Sequence, residues 1–180
     1  MAGRRKTGRF AIIGEYSAGK TALMTAIAYR DHLHGIPIYS NYHLKFPHTR
    51  IHSVQDMDDM QQGTFVMDEA WYTFDSRAFS SKTNMLGSYI LSKLAKRNMN
   101  AYLNMQSMDL LDSRFRDRMQ AILIPQIHKQ DHFGKPLILE VQAITKDKWG
   151  FYNFLPQSYF FDVSQVLDLY DTSEELDPLT

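Results

Sequence analysis

Gly14-Glu15-Tyr16-Ser17-Ala18-Gly19-Lys20-Thr21 follows the apolar run Phe10-Ala11-Ile12-Ile13 and leads into the helix-prone stretch Ala22-Leu23-Met24-Thr25-Ala26-Ile27-Ala28. The spacing G-x-x-x-x-G-K-T between a strand and a helix is that of a phosphate-binding loop. Glycines let the backbone curl until successive amides point inward, and the helix presents the positive end of its dipole to the anion. In such a loop Lys20 reaches the β and γ phosphates, and Thr21 places its hydroxyl on a magnesium ion bridging them. Residues 14–21 are thus the expected cradle of a nucleotide with its Mg2+.

Outward from the loop, Leu23 and Ile27 mark an apolar helical face that Gly35 ends, and Ile36-Pro37-Ile38-Tyr39-Ser40 reads as a second strand. Strand, loop, helix and strand form a βαβ unit, whose ligand site lies at the carboxyl ends of its strands. A further strand, Thr64-Phe65-Val66-Met67, runs into Asp68-Glu69. Nucleotide hydrolysis needs one carboxylate for hydrated magnesium and another for the attacking water. Position assigns the metal to Asp68 and the water to Glu69. Gln106 ends a strand at Ala101–Met105; its amide would sense the γ phosphate if that strand lay between the first two motifs, and a plain turn residue is an equal reading. Charge developing on the γ phosphoryl oxygens calls for an arginine from a neighbouring subunit, with Arg97, Arg114, Arg116 and Arg77 as candidates.

The rest of the chain supports an α/β domain. The spacing predicts an exposed, mildly basic loop over 41–53, a turn of helix over 56–60 and an amphipathic helix over 85–97 capped by Asn84. A polar helix carrying Arg114, Arg116 and Arg118 follows, then a strand over 121–127. Strands at 137–144 and 151–155 pair around Lys146-Asp147-Lys148-Trp149-Gly150, and a short helix covers 164–169. The expected architecture is a mainly parallel sheet flanked by helices, with an antiparallel edge from the C-terminal strands. Residues 1–9 form a basic arm, 10–160 the core, and 161–180 an acidic segment packed on or trailing it.

Composition removes other classes. The 180 residues, 44% of them hydrophobic, suit one domain with one substantial core. No cysteine occurs, which rules out disulfide frameworks and cysteine-based zinc sites and fits a reducing cytoplasm, that of a host cell if the protein is viral. No run approaches the roughly 20 apolar residues of a membrane span. The net charge of zero is segregated: Arg4, Arg5, Lys6 and Arg9 crowd the start, whereas Phe161–Thr180 holds carboxylates and no lysine or arginine. The histidines, His32 and His34 included, lack a third ligand at zinc spacing, and no G-x-S-x-G elbow is present.

The order of motifs, from Gly14–Thr21 through Tyr39-Ser40-Asn41, Phe65-Val66-Met67-Asp68-Glu69-Ala70-Trp71, Phe74-Asp75-Ser76-Arg77, Leu94–Asn98, Gln106 and Leu111-Asp112-Ser113-Arg114-Phe115-Arg116 to Tyr170-Asp171-Thr172, resembles viral genome-packaging ATPases. More broadly it is similar to the FtsK/HerA-type branch of P-loop ATPases, including zonula-occludens-toxin-like proteins of filamentous phages and packaging ATPases of phages and archaeal viruses. The resemblance implies a RecA-like (ASCE) core, a pentamer or hexamer ring, and ATP-driven translocation of double-stranded DNA, with a portal or capsid vertex as docking partner and no membrane. It assigns Lys20 and Thr21 to nucleotide and magnesium, Asp68 and Glu69 to the Walker B pair, Gln106 to the polar sensor and Arg97 to the finger, with Arg114 or Arg116 as substitutes.

Two rival classes share the loop. A small-molecule or nucleoside kinase would use the 114–118 cluster as a lid, but kinases exclude water and Glu69 is placed to activate it. A phage assembly protein that binds nucleotide without moving DNA would use basic segments such as Lys45–Arg50 for partners. A GTP switch lacks the Asn-Lys-x-Asp stretch that reads guanine. Segments 41–53 and 77–84 are the expected DNA contacts.

Overall fold

The computed structural model describes residues 7–75, 77, 82–94, 96–171 and 173–179. Arg4, Arg5 and Lys6 of the basic arm, Ser76, residues 78–81 of the expected DNA segment, and Thr172 lie outside the described residues.

Strands β1 (Arg9–Ile13), β2 (Ile38–Ser40), β3 (Thr49–Arg50), β4 (Gly63–Met67), β5 (Met99–Met105), β6 (Ala121–Gln130), β7 (Pro136–Lys146), β8 (Tyr152–Phe154) and β9 (Tyr159–Asp162) form one sheet. Its order is β3-β2-β4-β5-β1-β6-β7-β8, and β9 also pairs with β7. The pairs from β3 through β6 are parallel, whereas β7 pairs antiparallel with β6, β8 and β9.

Alternation along the inner strands divides the interior into two layers. Ala11, Phe65, Met67, Ala101, Leu103 and Met105 face one core, and Ile12, Val66 and Tyr102 face the other. Every residue of β4 and β5 is buried, the pattern of parallel strands covered on both faces. Helix α1 (Lys20–Leu33) covers the second face with Leu23, Met24 and Ile27. Helices α2 (Val54–Asp59), α3 (Ala70–Thr73), α4 (Lys82–Leu94) and α5 (Ser113–Arg116) contribute Val54, Met57, Ala70, Ile90, Leu91, Leu94 and Phe115 to the first. Each fully buried Leu or Phe is worth roughly 1.5–3 kcal/mol against exposure. No helix among the described residues is long and apolar enough to cross a membrane.

Several local expectations are corrected. Residues 41–53 are not an exposed loop: Tyr42, Leu44, Phe46 and Ile51 are buried, with His43, Lys45 and Pro47 outward between them. That alternation is a strand-like period carried by chain that pairs only briefly, at β3 and at the bridge from Leu44 to Tyr170. The helix expected over 85–97 runs from Lys82 to Leu94, so Asn84 lies inside it. Its amide donates to Asp75 O at 2.9 Å and to the Asp112 carboxylate at 3.1 Å, a tertiary contact in place of a cap. The polar helix shrinks to the four residues of α5 after a 3-10 turn at Met108–Leu110. Residues 164–169 form turns closed by Val166 N–H to Val163 O and Leu169 N–H to Val166 O, both i to i+3 bonds, and no helix propagates.

Candidate nucleotide site

Residues 14–21 join β1 to α1 at the carboxyl end of the parallel strands. Gly19, at φ 87°, holds a left-handed conformation, and a Cβ there would meet the Leu139 side chain at 2.6 Å. Only glycine therefore lets the loop turn into α1 this close to β7. The Lys20 ammonium donates to Gly14 O at 2.9 Å and Glu15 O at 2.7 Å, so it lies inside the loop.

Asp68 leaves the end of β4 and collects donors from three elements. Thr21 Oγ1 donates to Asp68 Oδ2 at 2.8 Å, Asn104 Nδ2 donates to Oδ1 at 2.6 Å, and the Glu69 N–H donates to Oδ1 at 2.8 Å. Asn41 fixes the same residue by its backbone, donating to Asp68 O at 2.9 Å and accepting from Asp68 N–H at 2.8 Å. Glu69 caps α3 in a left-handed conformation, φ 49° and ψ 43°, and the Trp71 indole N–H donates to its carboxylate. A non-glycine residue held there costs on the order of 1–3 kcal/mol, strain of the kind stored at functional sites. The turn gives consecutive carboxylates different partners, Thr21 for Asp68 and Trp71 for Glu69.

Burial pushes the Asp68 carboxyl up to about 6, opposed by the Thr21 hydrogen bond and assisted by the Glu69 charge. Burial also lowers the Lys20 ammonium, which Glu69 and Asp68 partly restore. A desolvated carboxylate beside a hydroxyl is a site a hard cation would stabilise, and Asn104 Oδ1, buried and without a hydrogen-bond partner, adds a hard oxygen donor. Magnesium needs no all-protein cage, since phosphates and water complete its shell. Thr21, Asp68 and Asn104 fit that requirement.

The loop, Asp68, Glu69 and Asn104 open into a cavity of about 1000 Å³. One wall is the turn between β6 and β7, with Ile127, Phe133, Lys135 and Pro136; the other is the C-terminal segment from Tyr170 to Pro178. That segment is fastened at Leu44 by a bridge to Tyr170, at Arg50 by a 2.6 Å ion pair with Glu174, and at Thr73, whose hydroxyl accepts the Leu179 N–H at 3.0 Å. Burial, with Asp68 nearby, pushes the Tyr170 phenol up to about 12.

The structure brings Gly14–Thr21, Asp68 and Glu69 together. It places β5 between β4 and β1, as the sensor reading required, but Gln106 lies one residue past the strand and does not line the cavity, whereas Asn104 does. Sequence reasoning missed Asn104, although a second asparagine in the otherwise apolar Met99-Asn100-Ala101-Tyr102-Leu103-Asn104-Met105 was a usable signal. None of the candidate arginines lines the cavity. Arg97 stands before β5, at the other end of the sheet, and donates to Asp58 O at 2.7 Å, Met60 O at 3.1 Å and the Asp58 carboxylate at 2.8 Å. Arg114 grips buried Asp112, Arg116 meets Asp109 at 3.1 Å, and Arg77 meets Asp75 at 2.6 Å.

No protein-family model matches the chain, and no characterised protein matches it by sequence. Solved structures do match. The N-terminal domain of zonular occludens toxin from Neisseria meningitidis superimposes with a TM-score of 0.60 and 18% identity, covering 93% of this chain and 100% of that one. The genome packaging NTPase B204 of Sulfolobus turreted icosahedral virus 2, in complex with ATP-gammaS, gives 0.55 and 11%, covering 82% and 96%. B204 described as the DNA-packaging ATPase of Sulfolobus Turreted Icosahedral Virus gives 0.52 and 13%, over the same shares, 82% and 96%. The chain has their fold, an α/β RecA-like P-loop core with an antiparallel edge.

Proposed function

We propose that the protein is a magnesium-dependent ATPase that moves double-stranded DNA as the ring subunit of a viral genome-packaging motor. The observation that carries the ATPase reading is the convergence of Thr21 and Asn104 on Asp68, with Lys20 in the loop and Glu69 at the cavity. Magnesium would supply charge neutralisation at the phosphates, held by Thr21 and Asp68. In this reading the loop amides of 14–21 and the α1 N-terminus bind the phosphates. Lys20 leaves Gly14 O and Glu15 O for the β and γ oxygens. Glu69 accepts a proton from the attacking water, with Trp71 fixing the carboxylate that receives it. Asn104 orients Asp68, and Gln106, which stands one residue past β5 and outside the cavity lining, would reach the γ phosphate as polar sensor only through a shift of that turn.

The motor reading is supported by the fold shared with B204, a DNA-packaging ATPase. Arg116 and Arg77, with side chains 36% and 81% exposed, are better presented to a neighbouring subunit than Arg97 at 20% or Arg114 at 25%. Outward Lys45 and His43 remain the DNA contacts proposed within 41–53. The kinase alternative loses support because the 114–118 lid is pinned by Asp112, Asp109 and Ser92 and does not border the cavity. Hydrolysis measured with and without duplex DNA across salt tests the motor: stimulation at low salt that fades as salt rises is expected, because phosphate contacts release counterions. Equal hydrolysis under all conditions would remove the translocase reading and leave the ATPase.

A further inference from the structure

The catalytic groups fix which way a nucleotide must lie. Asp68 and Asn104 end β4 and β5 on one side of β1, so the γ phosphate belongs on that side of the loop. The nucleoside must then leave on the other side, where β6 and β7 stand.

Those two strands outgrow the sheet there. β6 pairs with β1 only as far as Leu123, and the seven residues Ile124–Gln130 continue with β7 alone. At about 3.3 Å per residue the overhang is roughly 20 Å, enough to project past the loop. It brings Ile127, Phe133 and Pro136 to the cavity that Tyr16 borders from the loop.

The turn at its end is built to present Phe133. Asp131 Oδ1 accepts the N–H groups of Phe133 at 2.9 Å and Lys135 at 2.8 Å, and the Asp131 N–H donates to Lys135 O at 2.9 Å. Gly134 takes φ 82° to close the turn. The His132 ring sits 3.8 Å from that of Phe133, centroid to centroid. Phe133 is nevertheless 78% exposed and Tyr16 74% exposed. Two aromatic faces left in water at one cavity are surface that a flat, apolar ligand would cover.

We propose that the β6–β7 turn is the nucleobase wall of the site, taking a purine ring against Phe133, with Ile127 and Pro136 beside it. The proposal rests on the nucleoside triphosphate reading of residues 14–21 and extends it to the base. Lys135 is the only charged side chain of the turn that borders the cavity among the described residues. Recognition on this wall is therefore by the ring's face. Adenine and guanine are bound similarly, and both better than the smaller pyrimidines.

Titration calorimetry of the full chain with ATP, GTP, UTP and inorganic tripolyphosphate, each with magnesium, tests this. The expected result is ATP and GTP within about fivefold of each other, and a loss of about tenfold for both purines in Phe133→Ala with tripolyphosphate binding unchanged. Phe133→Tyr should restore the loss. Unchanged purine affinity in Phe133→Ala, or equal weakening of purines and tripolyphosphate, overturns the base wall. Wild-type protein that binds tripolyphosphate but gains nothing from the base also overturns it while leaving the phosphate loop intact. Failure to bind either ligand would instead remove the nucleotide reading on which it rests.

Discussion

Thr21 and Asp68, 47 positions apart in sequence, meet through a hydrogen bond of 2.8 Å, and that contact ties the phosphate loop to the end of β4. It ties together the helix that would receive phosphates and the carboxylate that would hold a cation. The hydroxyl that would ligate a metal donates meanwhile to the carboxylate that would share it.

The metal-free protein should therefore be sensitive to pH. Burial pushes the Asp68 carboxyl up to about 6 in the folded protein, so the folded state prefers its protonated form. The stability this contributes is complete below about pH 4 and is lost as pH rises through 6, on the order of 3 kcal/mol in all. Thermal unfolding in chelator should show Tm from this group falling between pH 4 and 7. Magnesium with nucleotide should stabilise far more above pH 6 than below it. A magnesium effect independent of pH would contradict the assignment.

Asn104→Ala removes the amide donor to Asp68 and leaves a buried carboxylate with fewer hydrogen bonds. A stability loss of about 1–3 kcal/mol is expected, together with weaker magnesium dependence of hydrolysis. Gln106→Ala should perturb stability less, because Gln106 is only partly buried and past the strand end. Magnesium titrations of the two variants separate the residues, and an unchanged Asn104→Ala profile would return the polar role to Gln106 alone.

Arg97→Ala should act on folding and not on a neighbour's active site. Its guanidinium satisfies the Asp58 and Met60 carbonyls at the end of α2, so its loss should cost about 1–3 kcal/mol in denaturant unfolding. Mixing Arg97→Ala subunits with Lys20→Ala subunits should restore no hydrolysis, whereas Arg116→Ala or Arg77→Ala mixed in the same way should restore some. Restoration with Arg97→Ala would make it the trans arginine after all.

What the sequence disclosed was what is local. The loop spacing, the strand ending in Asp68-Glu69 and the β7–β8 turn each depend on neighbours in sequence, and each was readable. Asn104 reaches Thr21 across 83 positions and Leu179 reaches Thr73 across 106, pairings that periodicity does not encode. Residues 42–46 were misread because the charges between Tyr42, Leu44 and Phe46, together with Pro47, masked a two-residue period. The contacts of Arg97 were equally hidden: its position before β5 was readable, but the Asp58 carbonyl that it meets comes from 39 positions away.

The most direct test of the site is Glu69→Gln, which keeps the shape of a side chain in a strained turn and removes the base that accepts the proton of water. Nucleotide binding and hydrolysis should be measured on the same preparation. The account predicts ATP affinity close to wild type with turnover reduced by about 10²-fold or more. Wild-type turnover in Glu69→Gln would contradict it.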